Sequence, residues 1–126
     1  MIGFIGNIEE LTLANDNFRQ ALATFENSQL VVMSLEPGED IGMEVHEVDQ
    51  FIRIEQGHGL VILNNEETNI KDDFAIVIPA GTQHNIINAS DEEKMKLYTV
   101  YSPPEHPSGT VHKTKSDAQK AEESEE

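Results

Sequence analysis

From Gly42 to Gly57 the chain reads GMEVHEVDQFIRIEQG. A carboxylate (Glu44), an imidazole (His46) and an amide (Gln50) stand ahead of an apolar run. Successive side chains of an extended segment point to opposite faces, so Glu44 and His46, two apart, share a face as a chelating pair. Gln50 shares its face with Ile52 and Ile54, while Phe51, Arg53 and Glu55 point the other way. Arg53 therefore looks away from any site that contains Gln50.

Short runs rich in Val, Ile, Leu, Phe and Tyr recur on both sides of this stretch, separated by turn signals. This is the pattern of an all-β sandwich or barrel rather than of alternating strands and helices. The runs are Gln29–Leu35, Gln50–Gln56, Leu60–Leu63, Phe74–Ile78, Asn85–Asn88 and Met95–Tyr101. Phe18–Thr24 is read as a further strand, entering the next through a turn at Glu26-Asn27-Ser28. Asn64-Asn65 tolerates the positive φ of a type I′ hairpin, and Pro79 with Gly81 fits a type I turn with Pro second and Gly fourth. Asp72-Asp73 marks another turn, as does Ser90-Asp91-Glu92-Glu93 between two strand-like runs. The amino-terminal segment is read as strand-like, available to cover a sheet edge.

A second polar-then-apolar segment, residues 79–88, carries His84 and repeats the plan of residues 44–57. Together the two resemble the paired motifs of the cupin superfamily, G-x5-H-x-H-x3-4-E-x6-G and G-x5-P-x-G-x2-H-x3-N. Gly38, Glu44, His46, Gln50 and Gly57 occupy the five marked positions of the first, with Glu44 in place of its first His and Gln50 in place of its Glu. Pro79, Gly81, His84 and Asn88 match the second, with Asp73 in its first Gly position. The resemblance spans roughly residues 29–101 and implies a double-stranded β-helix, a jelly-roll barrel with an interior ligand or metal site. Residues 1–112 would form this barrel. Residues 113–126 read as an acidic tail of frayed helix or disorder, without apolar side chains beyond alanine to offset the entropy of ordering.

Carried over position by position, the resemblance implies a ligand set of Glu44, His46, Gln50 and His84. Glu44 supplies the carboxylate that Gln50 has lost. Two imidazoles and a carboxylate suit Fe(II), with Mn, Ni, Co and Zn also compatible. Two readings stand for Gln50: a weak direct ligand, or an amide that orients a bound water. Two also stand for the whole set: a divalent-metal site, or a hydrogen-bonded polar pocket that has lost its ion. His58, between Gly57 and Gly59, reads as a solvated loop residue. His106 and His112 flank a Pro-rich loop, and surface placement is favoured over their reaching the pocket.

The chain has 126 residues, with 24 acidic against 8 basic side chains and a formal charge of −16. That charge repels phosphate backbones and anionic lipid, so neither nucleic acid nor membrane is an expected partner. There is no cysteine, which suits a reducing cytoplasm. The first residues lack the basic, continuous apolar character of a signal peptide, and the reading is a soluble, cytoplasmic protein. No serine carries a nucleophile-elbow pattern. Three function classes follow: a metal-dependent enzyme on a small molecule (an oxygenase, or an isomerase or hydrolase using Lewis-acid polarisation), a module that captures a small ligand without turnover, or a structural barrel with a vestigial site. With Arg53 outward, no cation is expected near the motif, which favours small neutral or weakly polar substrates. The resemblance also implies a homodimer.

Overall fold

The computed structural model describes residues 2–124. Helix α1 (Ile8–Ala14) precedes ten strands: β1 (Arg19–Thr24), β2 (Gln29–Leu35), β3 (Glu44–Val45), β4 (Asp49–Gln56), β5 (His58–Leu63), β6 (Glu66–Lys71), β7 (Ala75–Ile78), β8 (Gln83–Asn88), β9 (Met95–Ser102) and β10 (Val111–His112). Helix α2 (Lys115–Ser124) follows. The strands form two antiparallel sheets, ordered β10-β1-β2-β9-β4-β7 and β3-β8-β5-β6.

Cross-strand partners share a face, so the register lists what each sheet turns inward. In the larger sheet Arg19, Met33, Leu97 and Ile54 form one inward row. Val31, Thr99, Ile52 and Ile76 form the next, and Gln29, Tyr101, Gln50 and Ile78 the third. The facing sheet contributes Val61 beside Ile86, and Glu44 and Leu63 on either side of His84. Ile52, Ile54 and Ile86 are fully buried. The core is thus apolar in its middle and polar where the third row meets Glu44 and His84.

The connections follow the chemistry of their residues. Asn64 and Asn65 have φ of 47° and 73° at the β5–β6 hairpin, the left-handed pair a type I′ turn requires. Asp73, in the position of a family glycine, has φ 73°; Asp adopts this region through its short polar side chain. The turn after β7 closes one residue later than expected: Thr82 N–H donates to Pro79 O at 3.2 Å, with Gly81 third at φ 84°, the signature of type II. Gly59 is required for a different reason. A Cβ there would lie 1.9 Å from the Ile87 carbonyl oxygen.

Three segments depart from the sequence expectation. The amino-terminal segment is not a strand: Ile8–Ala14 is helical, its N-cap Asn7 accepting from Glu10 N–H at 3.1 Å. Helix α1 lies on the outer face of the larger sheet, over β2, β4 and β9, where Lys96 is buried against the Asn15 carbonyl and Asp16. Strand β6, the far arm of the hairpin at Asn64-Asn65, is not among the runs singled out from the sequence, because Ile70 is its only buried residue. The segment read as an acidic tail carries α2, whose Ala118 joins the core cluster; Glu125 and Glu126 lie outside the described residues. Among the described residues no helix is long and apolar enough to cross a membrane.

Helix α2 is held by charge as well as by Ala118. Lys115 Nζ donates to Asp40 Oδ1 at 2.5 Å, and Asn85 Nδ2 donates to Asp40 Oδ2 at 2.9 Å. Lys115 first, then Asn85, holds the Asp40 carboxyl below its ordinary value. A carboxyl depressed by folding contributes stability above its unfolded pKa, and that contribution is lost as pH falls through the folded value. We therefore expect α2 to undock below about pH 4, the ordinary carboxylate range, ahead of the barrel. Amide exchange around Ala118 checks this; protection unchanged at pH 3 while the barrel persists would contradict it.

Candidate functional site

Glu44 and His84 face each other as direct partners between β3 and β8. His46 follows β3 in the crossing to β4, its backbone pinned by Gly81 N–H donating to His46 O at 2.8 Å. The crossing is tied again where Ala80 N–H donates to Asp49 Oδ1. The rings of His46 and His84 meet edge-on, centroids 4.9 Å apart, and His46 also meets Tyr101 at 5.7 Å. The four residues singled out by spacing are therefore neighbours gathered around His46, with His46, Gln50 and His84 all buried.

His46 sits between two acceptors. Glu44 Oε2 is 2.9 Å from Nε2 and Gln50 Oε1 is 3.3 Å from Nδ1. A ring that donates to both is an imidazolium. Burial opposes that charge, but the hydrogen bond and charge of Glu44, with Glu105 and Gln50, raise the His46 pKa above its ordinary value. Glu44 is the converse: burial pushes its carboxyl up, and His46, Arg19 and His84 outweigh burial to lower it. Gln50 completes its amide by donating Nε2–H to Thr99 Oγ1 at 3.0 Å. His84 Nδ1 lies 2.9 Å from the Thr82 carbonyl. Because a carbonyl only accepts, Nδ1 carries a proton and the ring is oriented through it.

Sequence reasoning missed three members of this neighbourhood. Glu105 Oε1 stands 3.8 Å from His46 Nε2. His106 is not a surface residue: its ring packs edge-on against Tyr101 at 5.2 Å and its Nε2 is buried, and burial depresses its pKa to about 3. The backbone of both is clamped by Gln29, which accepts from Glu105 N–H and His106 N–H and donates to His106 O at 2.8 Å. Arg19 is the third, 2% exposed and inward, which overturns the expectation of no cation near the motif. Arg53 does point outward, paired with Glu55 and Asp73. His58 is exposed, but it opens β5 rather than lying in a loop.

The sequence model of the cupin domain matches residues 31–101. The chain belongs to the cupin family. It is 52% identical to the uncharacterized protein YrkC of Bacillus subtilis, over 94% of this cupin and 67% of that protein. It is 45% identical to the uncharacterized protein L612 of Acanthamoeba polyphaga mimivirus, over 86% of this chain and 70% of that one. The crystal structure of BH2720 from Bacillus halodurans superposes with a TM-score of 0.90 at 46% identity, covering 93% of each chain.

Cupins often bind metal, so the donors were tested against an ion. Two imidazoles and a carboxylate fit by type. The 2.9 Å between Glu44 Oε2 and His46 Nε2 suits two neighbouring ligands on an ion bonded to each at roughly 2.1 Å. Gln50 fits less well, because its oxygen is engaged by Nδ1, on the far side of the ring from Nε2. Among the described residues no three of His, Cys, Asp and Glu are grouped closely enough to hold an ion as they stand. Binding therefore requires the side chains to draw together.

Proposed function

We propose that this cupin holds a divalent transition metal through Glu44, His46 and His84, and binds a small molecule beside it. The observation that carries this reading is the buried His46–His84 pair with Glu44 hydrogen-bonded to it, each imidazole oriented through its Nδ1 partner, which leaves Nε2 as the donor atom for an ion. Gln50 acts as the positioning residue for His46 rather than as a ligand. A bound ion supplies Lewis-acid polarisation of a coordinated oxygen and, with a redox-active metal, a seat for dioxygen. The chain's own contribution is to deliver the donors unprotonated: His46 gives up its Nε2 proton on binding, and Glu44, already ionised, keeps its charge. Tyr101 remains a neutral phenol because burial raises its pKa, so it can donate a hydrogen bond into the site. Glu105 and His106, on the clamped loop, form the rim of a cleft of about 340 Å³ that also includes Glu44 and His46.

A second reading, capture of a small ligand without any ion, is favoured by one observation. Glu44 and His46 already satisfy each other as a pair. Elemental analysis of protein purified without chelator or an affinity-tag metal decides between them. We expect about one ion per chain, as for a mononuclear site with protein ligands; a value near zero rejects the metal reading and leaves the second. We further propose a homodimer, supported by the exposed apolar Ile2 and Ile5 of the amino terminus and Val77 on edge strand β7. Sedimentation equilibrium tests it, and a monomer at micromolar concentration would refute it.

A further inference from the structure

Arg19 is a permanent cation, 2% exposed on the inward face of β1, and among the described residues it makes no ion pair. Its Nη1 lies 3.4 Å from His112 Nδ1, its guanidinium stacks over the Phe18 ring at 5.3 Å, and its Nε is buried with no hydrogen-bond partner. Glu44 is near enough for its carboxyl to be lowered by Arg19 but not in contact with it; a buried charge held in no direct ion pair is costly, and replacing it by an apolar side chain of similar volume would ordinarily stabilise a protein. The guanidinium is placed where a ligand can use it. Arg19, Glu44 and Gly42 line a cavity of about 200 Å³ closed by Ala118 and Gln119 of α2. Glu44 and Glu122 belong both to this cavity and to the cleft beside His46, so the two are neighbouring compartments.

We propose that Arg19 is the anion-recognition residue of the barrel, and that the ligand is a small monocarboxylate whose remaining polar group reaches toward Glu44 and His46. The planar fork of a guanidinium matches a carboxylate through two parallel N–H donors, and the unpartnered Nε is one of them. The surroundings choose between anions. Lys115, the other cation lining the cavity, is already committed to Asp40, while Glu44 and Glu122 present two carboxylates. With Arg19 the one cation not committed to an acid and two carboxylates beside it, a second negative charge on a ligand would find no partner and would be repelled, which favours a monocarboxylate over a phosphate dianion. The inference deepens the reading of a small-molecule site but rests only on a ligand entering the barrel, not on an ion being present.

The test uses pyruvate as probe, with acetate, pyruvamide and inorganic phosphate as comparators, on chelator-treated protein and on protein carrying one added equivalent of Mn(II) or Ni(II). In the wild-type chain labelled with ¹⁵N-arginine, pyruvate or acetate should shift the Arg19 Nε–H resonance in the diamagnetic, chelator-treated sample, and pyruvamide and phosphate should not. Arg19→Met should weaken pyruvate at least about tenfold without lowering the melting temperature, and Arg19→Lys should not restore full affinity, because it lacks the fork. The proposal is overturned by unchanged pyruvate affinity in Arg19→Met, by equal binding of the neutral amide, by tighter binding of phosphate, or by no shift with either carboxylate. Should Arg19→Met fail to fold, the wild-type resonance decides alone. A carboxylate shift together with near-zero ion in protein purified without chelator rejects the metal reading only; a stoichiometric ion with no carboxylate shift rejects this one only.

Discussion

Asn88→Ala is expected to destabilise the protein by roughly 3–5 kcal/mol, since each buried polar group left unpaired costs about 1–3 kcal/mol. Asn88 is fully buried. Its Nδ2 donates to the carbonyls of Leu35, Glu36 and Glu93 at 3.2, 3.1 and 2.9 Å, and its Oδ1 accepts from Ser90 N–H at 3.0 Å. One side chain therefore joins the end of β2, the following loop and the turn between β8 and β9. Urea unfolding with a constant m-value measures the loss. Ser90→Ala is the internal comparison, because it removes only the hydroxyl that accepts from Glu92 and Glu93 N–H and should cost about 1 kcal/mol, a typical capping loss. If Asn88→Ala costs no more than Ser90→Ala, the junction role is wrong.

His84→Ala should abolish stoichiometric metal while leaving the barrel folded. Removing one of only three good donors leaves a bidentate site, and loss of a ligand normally costs more than the tenfold to hundredfold drop seen for an outer partner. The ring gives up one hydrogen bond to Thr82 O, so the stability penalty should stay near 1–2 kcal/mol, the worth of such a bond plus part of its burial. Metal content and isothermal titration on refolded, chelated protein read the first effect, and circular dichroism the second. Gln50→Glu is the informative companion. As a positioning residue, Gln50 tolerates the change with altered affinity but the same stoichiometry; His58→Ala, at an exposed position, should change nothing. Full metal loading in His84→Ala would show that any ion sits elsewhere.

The strands were legible because period-two burial is written directly into residues such as Gln50, Ile52 and Ile54. The grouping of Glu44, His46, Gln50 and His84 was legible for the same reason: alternation fixes a face, and antiparallel pairing of β3 with β8 does the rest. Helix α1 was not, because its seven residues make barely two turns, too few for an apolar period to repeat convincingly; its one local cue is Asn7 followed three residues later by Glu10. Arg19 was hidden by its strand, whose neighbours Ala21 and Ala23 give too weak an alternation to assign an inward face. His106 and Glu105 could not be placed from their own segment at all, since what fixes them is Gln29, more than 70 residues away.

That clamp has a consequence for how this pocket can change over generations. On the lip Gln29 grips main-chain atoms only, so this hold on the loop does not depend on which side chains are displayed at positions 105 and 106. Replacements there alter what enters the hollow while the scaffold beneath stays put. Diversification of ligand preference should accordingly accumulate on this short lip before it touches the sheets.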